Sequence, residues 1–162
     1  AKNSSQYGYP MLRTLFFEYP NDPTAWLIED EYLFGSDLLV APLFEETTSR
    51  KVYLPQGAWI DYQTGKVYQG AQWHQIEAGK IPIVLLVKNH SVIPHIAIAQ
   101  STSEMDWKNI ELRVFDTEKS SAAGIFSLPN GELHSLKVLY GSKLEDDPLK
   151  GKVNWKINLT TK

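Results

Sequence analysis

Nineteen acidic side chains and four histidines are the groups in this sequence that could do chemistry, and cysteine is absent. Two carboxylates held about 5 to 9.5 Å apart across a sugar ring are the machinery of glycoside hydrolysis. Three acids are placed for such a role: Glu18 ahead of Pro20, Asp37 beside an apolar run, and Asp61 in a segment rich in Trp and Tyr. Each also has a plainer reading. Asp37 follows Gly35-Ser36 and suits a turn in which the carboxylate hydrogen-bonds its own backbone. Asp61 suits the outward face of a strand, and Glu18 can pair with Arg13 or Lys51.

His74, His90, His95 and His134 form no i, i+4 pair and have no Cys beside them, so their spacing argues against a metal site. There is no GxSxG, GxGxxG or P-loop pattern, which leaves nucleophile-elbow, dinucleotide and Walker-type sites without support, and no cofactor is expected. Trp59, Tyr62, Tyr68 and Trp73 fall on consecutive predicted strands. An exposed row of such rings would stack pyranoses, as in a stand-alone carbohydrate-binding module. The plainer reading of the row is core packing or docking against a neighbouring domain.

Short strands must position these groups. Leu38 to Ala41 has no polar face and is bounded by Gly35-Ser36 and Pro42, which predicts a strand covered on both sides, the spine of a sheet. Met11 to Tyr19 reads as a strand of large residues stopped by Pro20-Asn21-Asp22-Pro23. Thr24 to Leu33 suits a turn of helix or an irregular excursion. Arg50 to Leu54, ending at Pro55, reads as an edge strand. Ala58 to Tyr62 turns at Thr64-Gly65 into Lys66 to Tyr68; Gly70 to Ile76 and Ile81 to Val87 follow, and Val92-Ile93-Pro94 closes the unit. Strands at roughly ten-residue spacing predict an antiparallel β-sandwich.

Ala97 to Ser103 is small and polar and reads as a linker or long loop. Beyond it Ile110 to Phe115, Ala123 to Leu128, Leu133 to Leu139 and Val153 to Leu159 repeat the strand pattern. The expected organisation is all-β: a sandwich over residues 1–97, with 1–9 as a lead-in, and a second, smaller β unit over 98–162. A net charge of −3 with both signs interspersed argues against a nucleic-acid surface. No apolar run approaches the roughly 20 residues of a membrane span. The start, Ala1 to Gln6, has neither an initiator Met nor a signal-peptide pattern, so a fragment of a longer chain is expected.

Three blocks carry a resemblance: Pro10 to Pro23 (PMLRTLFFEYPNDP), Tyr32 to Pro42 (YLFGSDLLVAP) and Val52 to Asp61 (VYLPQGAWID). With Ile81-Pro82-Ile83-Val84 and Ser91 to Pro94, they are similar in order and spacing to the segment that follows the catalytic barrel in glycoside hydrolase family 31, which includes α-glucosidases and α-xylosidases. The tail from Asp106 resembles more loosely the distal β domain of bacterial α-xylosidases. The resemblance implies that the catalytic aspartates belong to a (β/α)₈ barrel, so no catalytic residue is assigned to this chain. It further implies retaining hydrolysis of terminal α-xylosyl or α-glucosyl residues by the intact enzyme. This chain would brace the barrel of the same polypeptide, and the β units would make homo-oligomer contacts. Large residues in Tyr7 to Tyr19 beyond what a core needs would mark the docking face. The absence of Cys fits a reducing compartment, and a bacterial cytoplasm is expected.

Overall fold

The computed structural model describes residues 2–118, 120–139, 143–145, 147, 149 and 151–160. Contacts divide the chain into two compact units, one from Asn3 to Asn89 and one from His90 onward. No described helix is long and apolar enough to cross a membrane.

The first unit opens with α1 (Lys2–Tyr7), β1 (Leu12–Arg13) and the single turn α2 (Leu15–Glu18). A 3-10 turn over Thr24–Leu27 leads to β2 (Tyr32–Phe34), β3 (Leu38–Pro42), β4 (Ser49–Leu54), β5 (Ala58–Asp61), β6 (Val67–Gln69), β7 (Gln72–Glu77) and β8 (Ile83–Lys88). Six of these strands form one antiparallel sheet in the order β1-β2-β3-β8-β5-β6, and β4 pairs with β7 in a separate ribbon. The two layers share a core: Leu39, Ala41, Trp59, Val84 and Leu86 from the sheet meet Val52, Leu54 and Ile76 from the ribbon. The sandwich expected from strand spacing is therefore present, with β3 third in its sheet and Leu39, Val40 and Ala41 all buried. Gly35 supplies a left-handed turn (φ 71°) into β3, a conformation that costs a residue with a Cβ.

Two predicted elements are corrected. Met11 to Tyr19 is not a strand: after Arg13 the chain coils, with Phe17 N–H donating to Thr14 O at 3.1 Å and Tyr19 N–H to Leu15 O at 2.8 Å. Leu15 is fully buried with Ala25, Ile28 and Tyr53, and Phe16 and Tyr19 pack on the same cluster. Positions i, i+1 and i+4 share a face only on a helical turn, so tertiary packing overrides the extended preference of the aromatics.

The second unit contains β9 (Ser91–His95), β10 (Asn109–Phe115), β11 (Ser121–Ser127), β12 (Leu133–Leu139), β13 (Lys143–Leu144) and β14 (Asn154–Leu159). They form one mixed sheet in the order β13-β12-β11-β9-β10-β14. The last strand lies parallel to β10, with Ile110 opposite Trp155. Ser91–His95, expected to close the first unit, is hydrogen-bonded into this second sheet instead, through Leu112↔Pro94 and Val114↔Val92. Ala97 to Ser103 thus connects β9 to β10 inside the second unit and is a loop, not an interdomain linker. Val92, Ile110, Leu112, Phe126, Leu136 and Val138 belong to that unit's own core.

Candidate functional site

The most distinctive surface of the first unit is apolar. Among the described residues, nine of the sixteen large hydrophobic side chains that remain exposed lie between Tyr7 and Phe44, a concentration beyond the scattered single residues normal on a soluble surface. Local structure explains it. The short β1–β2 pairing sets Leu12 directly opposite Phe34, and both are exposed. Gly35 N–H donates to Met11 O at 2.7 Å and holds this ladder closed. The α2 turn sends Leu15 inward and Phe17 outward, where Phe17 meets Tyr9 edge-on at 6.2 Å.

Arg13 organises the Tyr9–Phe17 cluster. Its guanidinium lies 5.4 Å from the Tyr9 ring and 5.9 Å from the Phe17 ring, and Nη1 donates to Glu18 Oε2 at 2.8 Å. Its Nε donates to the Pro10 carbonyl. A planar cation held between two aromatic faces and a carboxylate has lost most of its rotamer freedom, so a partner meeting this surface orders little further. Beside it Phe16 stacks on Trp26 at 4.8 Å, and Leu27 on the same 3-10 turn is 79 % exposed.

The candidate acids are occupied with structure. Glu18 takes the predicted Arg13 pairing. Asp37 hydrogen-bonds the Ser36 side chain, not a turn backbone N–H, and burial raises its carboxyl above the usual range. The charges of Lys88, Glu18 and Arg13 all act on Asp37. Glu18 lines an open cavity of about 440 Å³ with Asp22 and Tyr53, but Asp37 does not face into it.

Asp61 corrects the sequence reading: it is buried, not outward-facing. Its Oδ1 accepts the N–H groups of Gln63 and Thr64 at 2.9 and 2.7 Å, and Gly65 (φ 74°) completes the turn predicted at Thr64-Gly65. An Asp61→Ala variant leaves two turn donors unpaired and is expected to lose about 1–2 kcal/mol. A urea midpoint for that variant equal to that of the unmodified chain would show that the turn holds without its acceptor.

The histidines stay apart. His74 contacts Gln69 O at 2.6 Å, His90 lies 3.1 Å from Asp116, His95 bonds Ile93 O and His134 lies 3.7 Å from Glu132. The described residues contain no group of three side chains suited to a metal ion. The aromatic row is not a flat platform either. Trp59 is fully buried with Nε1 donating to Pro55 O at 2.8 Å, Tyr68 packs on the core, and Tyr62 is half-buried. Trp73 is exposed but lies 5.4 Å from Tyr53 with the Lys51 ammonium over its ring.

The sequence pointed to the exposed part of Tyr7 to Tyr19 but missed Trp26, Leu27, Phe34 and Phe44. A large apolar residue beside a charged one signals either surface or core until its partners are known. Glu31 was missed as well. It is a buried carboxylate that accepts the Tyr53 N–H at 2.8 Å, and no pattern of neighbours marks it.

Two β units with only short helices define the class, a mostly β module. The family follows. Residues 8–93 match the glycosyl hydrolase family 31 C-terminal domain, and the chain belongs to that family. It is 34% identical over 129 residues to alpha-glucosidase 2 of Bacillus thermoamyloliquefaciens, covering 79% of this chain and 16% of that enzyme. Among solved structures it resembles the dextranase of Flavobacterium johnsoniae with a TM-score of 0.76 and 26% identity, over 85% of this chain and 19% of the other. The α-xylosidase of Xanthomonas citri matches with a TM-score of 0.74 and 25% identity, over 97% and 19%. The chain therefore spans less than a fifth of each of these enzymes.

Proposed function

We propose that this chain is the non-catalytic C-terminal β portion of a retaining α-glycosidase and that it braces the catalytic barrel of the same polypeptide. The observation that carries the reading is the set of apolar side chains left exposed between Tyr7 and Phe44, Tyr9, Leu12, Phe17 and Phe34 among them, in a chain that spans a small part of its relatives. Burying such a face against a barrel stabilises both parts, at about 25 cal/mol for each Å² of apolar surface removed from water. The reaction of the whole enzyme is hydrolysis of terminal α-linked glucosyl or xylosyl residues, since relatives named for both sugars match. Its two carboxylates, about 5–5.5 Å apart in a retaining enzyme, belong to the barrel. The β units also make subunit contacts, and the absence of Cys suits a cytoplasmic parent.

The test uses the full-length parent carrying Leu12→Asp with Phe17→Asp. Both side chains are largely at the surface of this chain, so the isolated module should lose far less stability than the parent. The parent should inactivate at a lower temperature, with the preference between an α-xyloside and an α-glucoside unchanged. The isolated chain should release no chromophore from either substrate. A parent indifferent to the double substitution, or clear turnover by the chain alone, refutes the proposal.

A further inference from the structure

We propose that the second unit carries a binding groove for a short neutral oligosaccharide, formed where β10 and β14 run side by side under the segment Ile96-Ala97-Ile98. The groove has a volume of about 650 Å³, within the range of roughly 300–1,000 Å³ typical of small-ligand sites. It lies largely beyond residues 8–93, the part matched by the family domain.

Its floor follows from strand alternation. Ile110, Leu112 and Val114 are buried, which turns Asn109, Glu111 and Arg113 to the opposite face of β10. The parallel register sets Asn154 beside Asn109 and Lys156 beside Glu111, so polar groups from two strands form a grid with a spacing of roughly 4.8 Å. The grid is held in place. Asn154 Nδ2 donates to Asn109 Oδ1 at 3.1 Å, Asn109 Nδ2 donates to Asp106 Oδ2 at 2.6 Å, and Arg113 Nε donates to Glu111 Oε1 at 2.7 Å.

Planar amides and an ion pair locked by one another present fixed donors and acceptors with little entropy left to lose on binding. The Glu111 carboxylate faces both Arg113 and Lys156, so the floor carries a single net positive charge within a mixed hydrogen-bonding surface. With both cations set around that carboxylate, the composition suits hydroxyl groups better than phosphates or carboxylates, which call for clustered cations without a neighbouring counter-charge. The wall supplies the complementary part. Ile98 is fully exposed, and an isoleucine with no core to fill provides apolar surface for the CH face of a pyranose. The choice of a glycan as ligand rests on the glycosidase reading above; the groove itself is read from the geometry of this unit alone.

The experiment is a titration of the chain with maltotriose and isomaltotriose, followed by amide chemical shifts. Saturable shifts at millimolar sugar, grouped on residues 96–98, 109–113 and 154–156, are expected. Asn154→Ala and Ile98→Asp should each weaken binding at least about tenfold. Ile98→Asp tests the wall without touching the fold, because that side chain is already in water and the melting temperature should not move. Absence of saturation, shifts confined to the first unit, response to inorganic phosphate but not sugar, or unchanged affinity in both variants would overturn the groove. A parent destabilised by the Leu12 and Phe17 substitutions whose β module ignores both sugars would sink this inference and leave the bracing function standing.

Discussion

Trp59→Ala should unfold the first unit at temperatures where the unmodified chain is intact. Trp59 has no exposed surface and belongs to the core that joins the six-stranded sheet to the β4–β7 ribbon. It is also the largest of the fully buried side chains. Truncating a buried Trp to Ala costs about 3–5 kcal/mol through lost transfer energy plus a cavity, against a total stability of roughly 5–15 kcal/mol for ordinary domains. The Pro55 carbonyl loses its indole donor in the same step. Trp59→Phe separates the two contributions: it keeps most of the volume and should lose only about 1–2 kcal/mol for the orphaned acceptor and residual void. Urea denaturation of the two variants checks this. A Trp59→Ala midpoint close to that of Trp59→Phe would mean that the layers are not joined through the indole.

The second large effect is a loss of stability with rising pH that traces to Glu31. Its carboxylate has no exposed surface, and one oxygen accepts the Tyr53 N–H while the other lacks a partner. Arg50 is nearby, with Nη2 3.9 Å from Oε1, but that guanidinium is already engaged by the Asp30 carboxylate and by the carbonyls of Asp30 and Pro42. Burial pushes the Glu31 carboxyl up to about 7 from 4.5, only partly countered by the Tyr53 N–H and by Arg50.

Between those two values the unfolded chain ionises while the folded one keeps its proton. The unfolded state then binds fewer protons, and stability falls as pH rises. The contribution is full below about pH 4.5 and is lost by pH 7 to 8, a difference of about 3 kcal/mol at 1.36 kcal/mol per pKa unit. Glu31→Gln can keep the acceptor for Tyr53 and never charges, so its urea midpoint should vary less between pH 5 and 8 and exceed that of the unmodified chain at pH 8. Equal pH slopes in the two proteins would show that Glu31 titrates normally and that the loss has another origin. Because Glu31 lies next to β2 and ties it to β4, its ionisation strains the joint between sheet and ribbon.

Much of the architecture could be read from residue order. The run Leu38 to Ala41 has no polar face and could be satisfied only by cover on both sides, and β3 has it. The turn at Thr64-Gly65 and the strands Leu133–Leu139 and Asn154–Leu159 follow from period-two alternation and turn chemistry, which are local properties. The exposed apolar surface was half legible: a surplus of large residues near the start of the chain could be counted, but not which of them a core would absorb.

By itself the sequence determined that this protein is β-rich, that it lacks the thiol, phosphate-loop and nucleophile-elbow motifs of several enzyme classes, and that three blocks between Pro10 and Asp61 belong with family 31. Those conclusions need only nearest-neighbour patterns and residue identity. Tertiary structure alone decided that Phe16 and Phe17 turn on a helical coil, that Asp61 faces inward, that Ser91–His95 joins the second sheet, and that β14 lies parallel to β10. Each depends on which distant side chains compete for the same buried volume and the same backbone partners. Alternation along a strand specifies the two faces it will present; it carries no information about the neighbour that each face will meet.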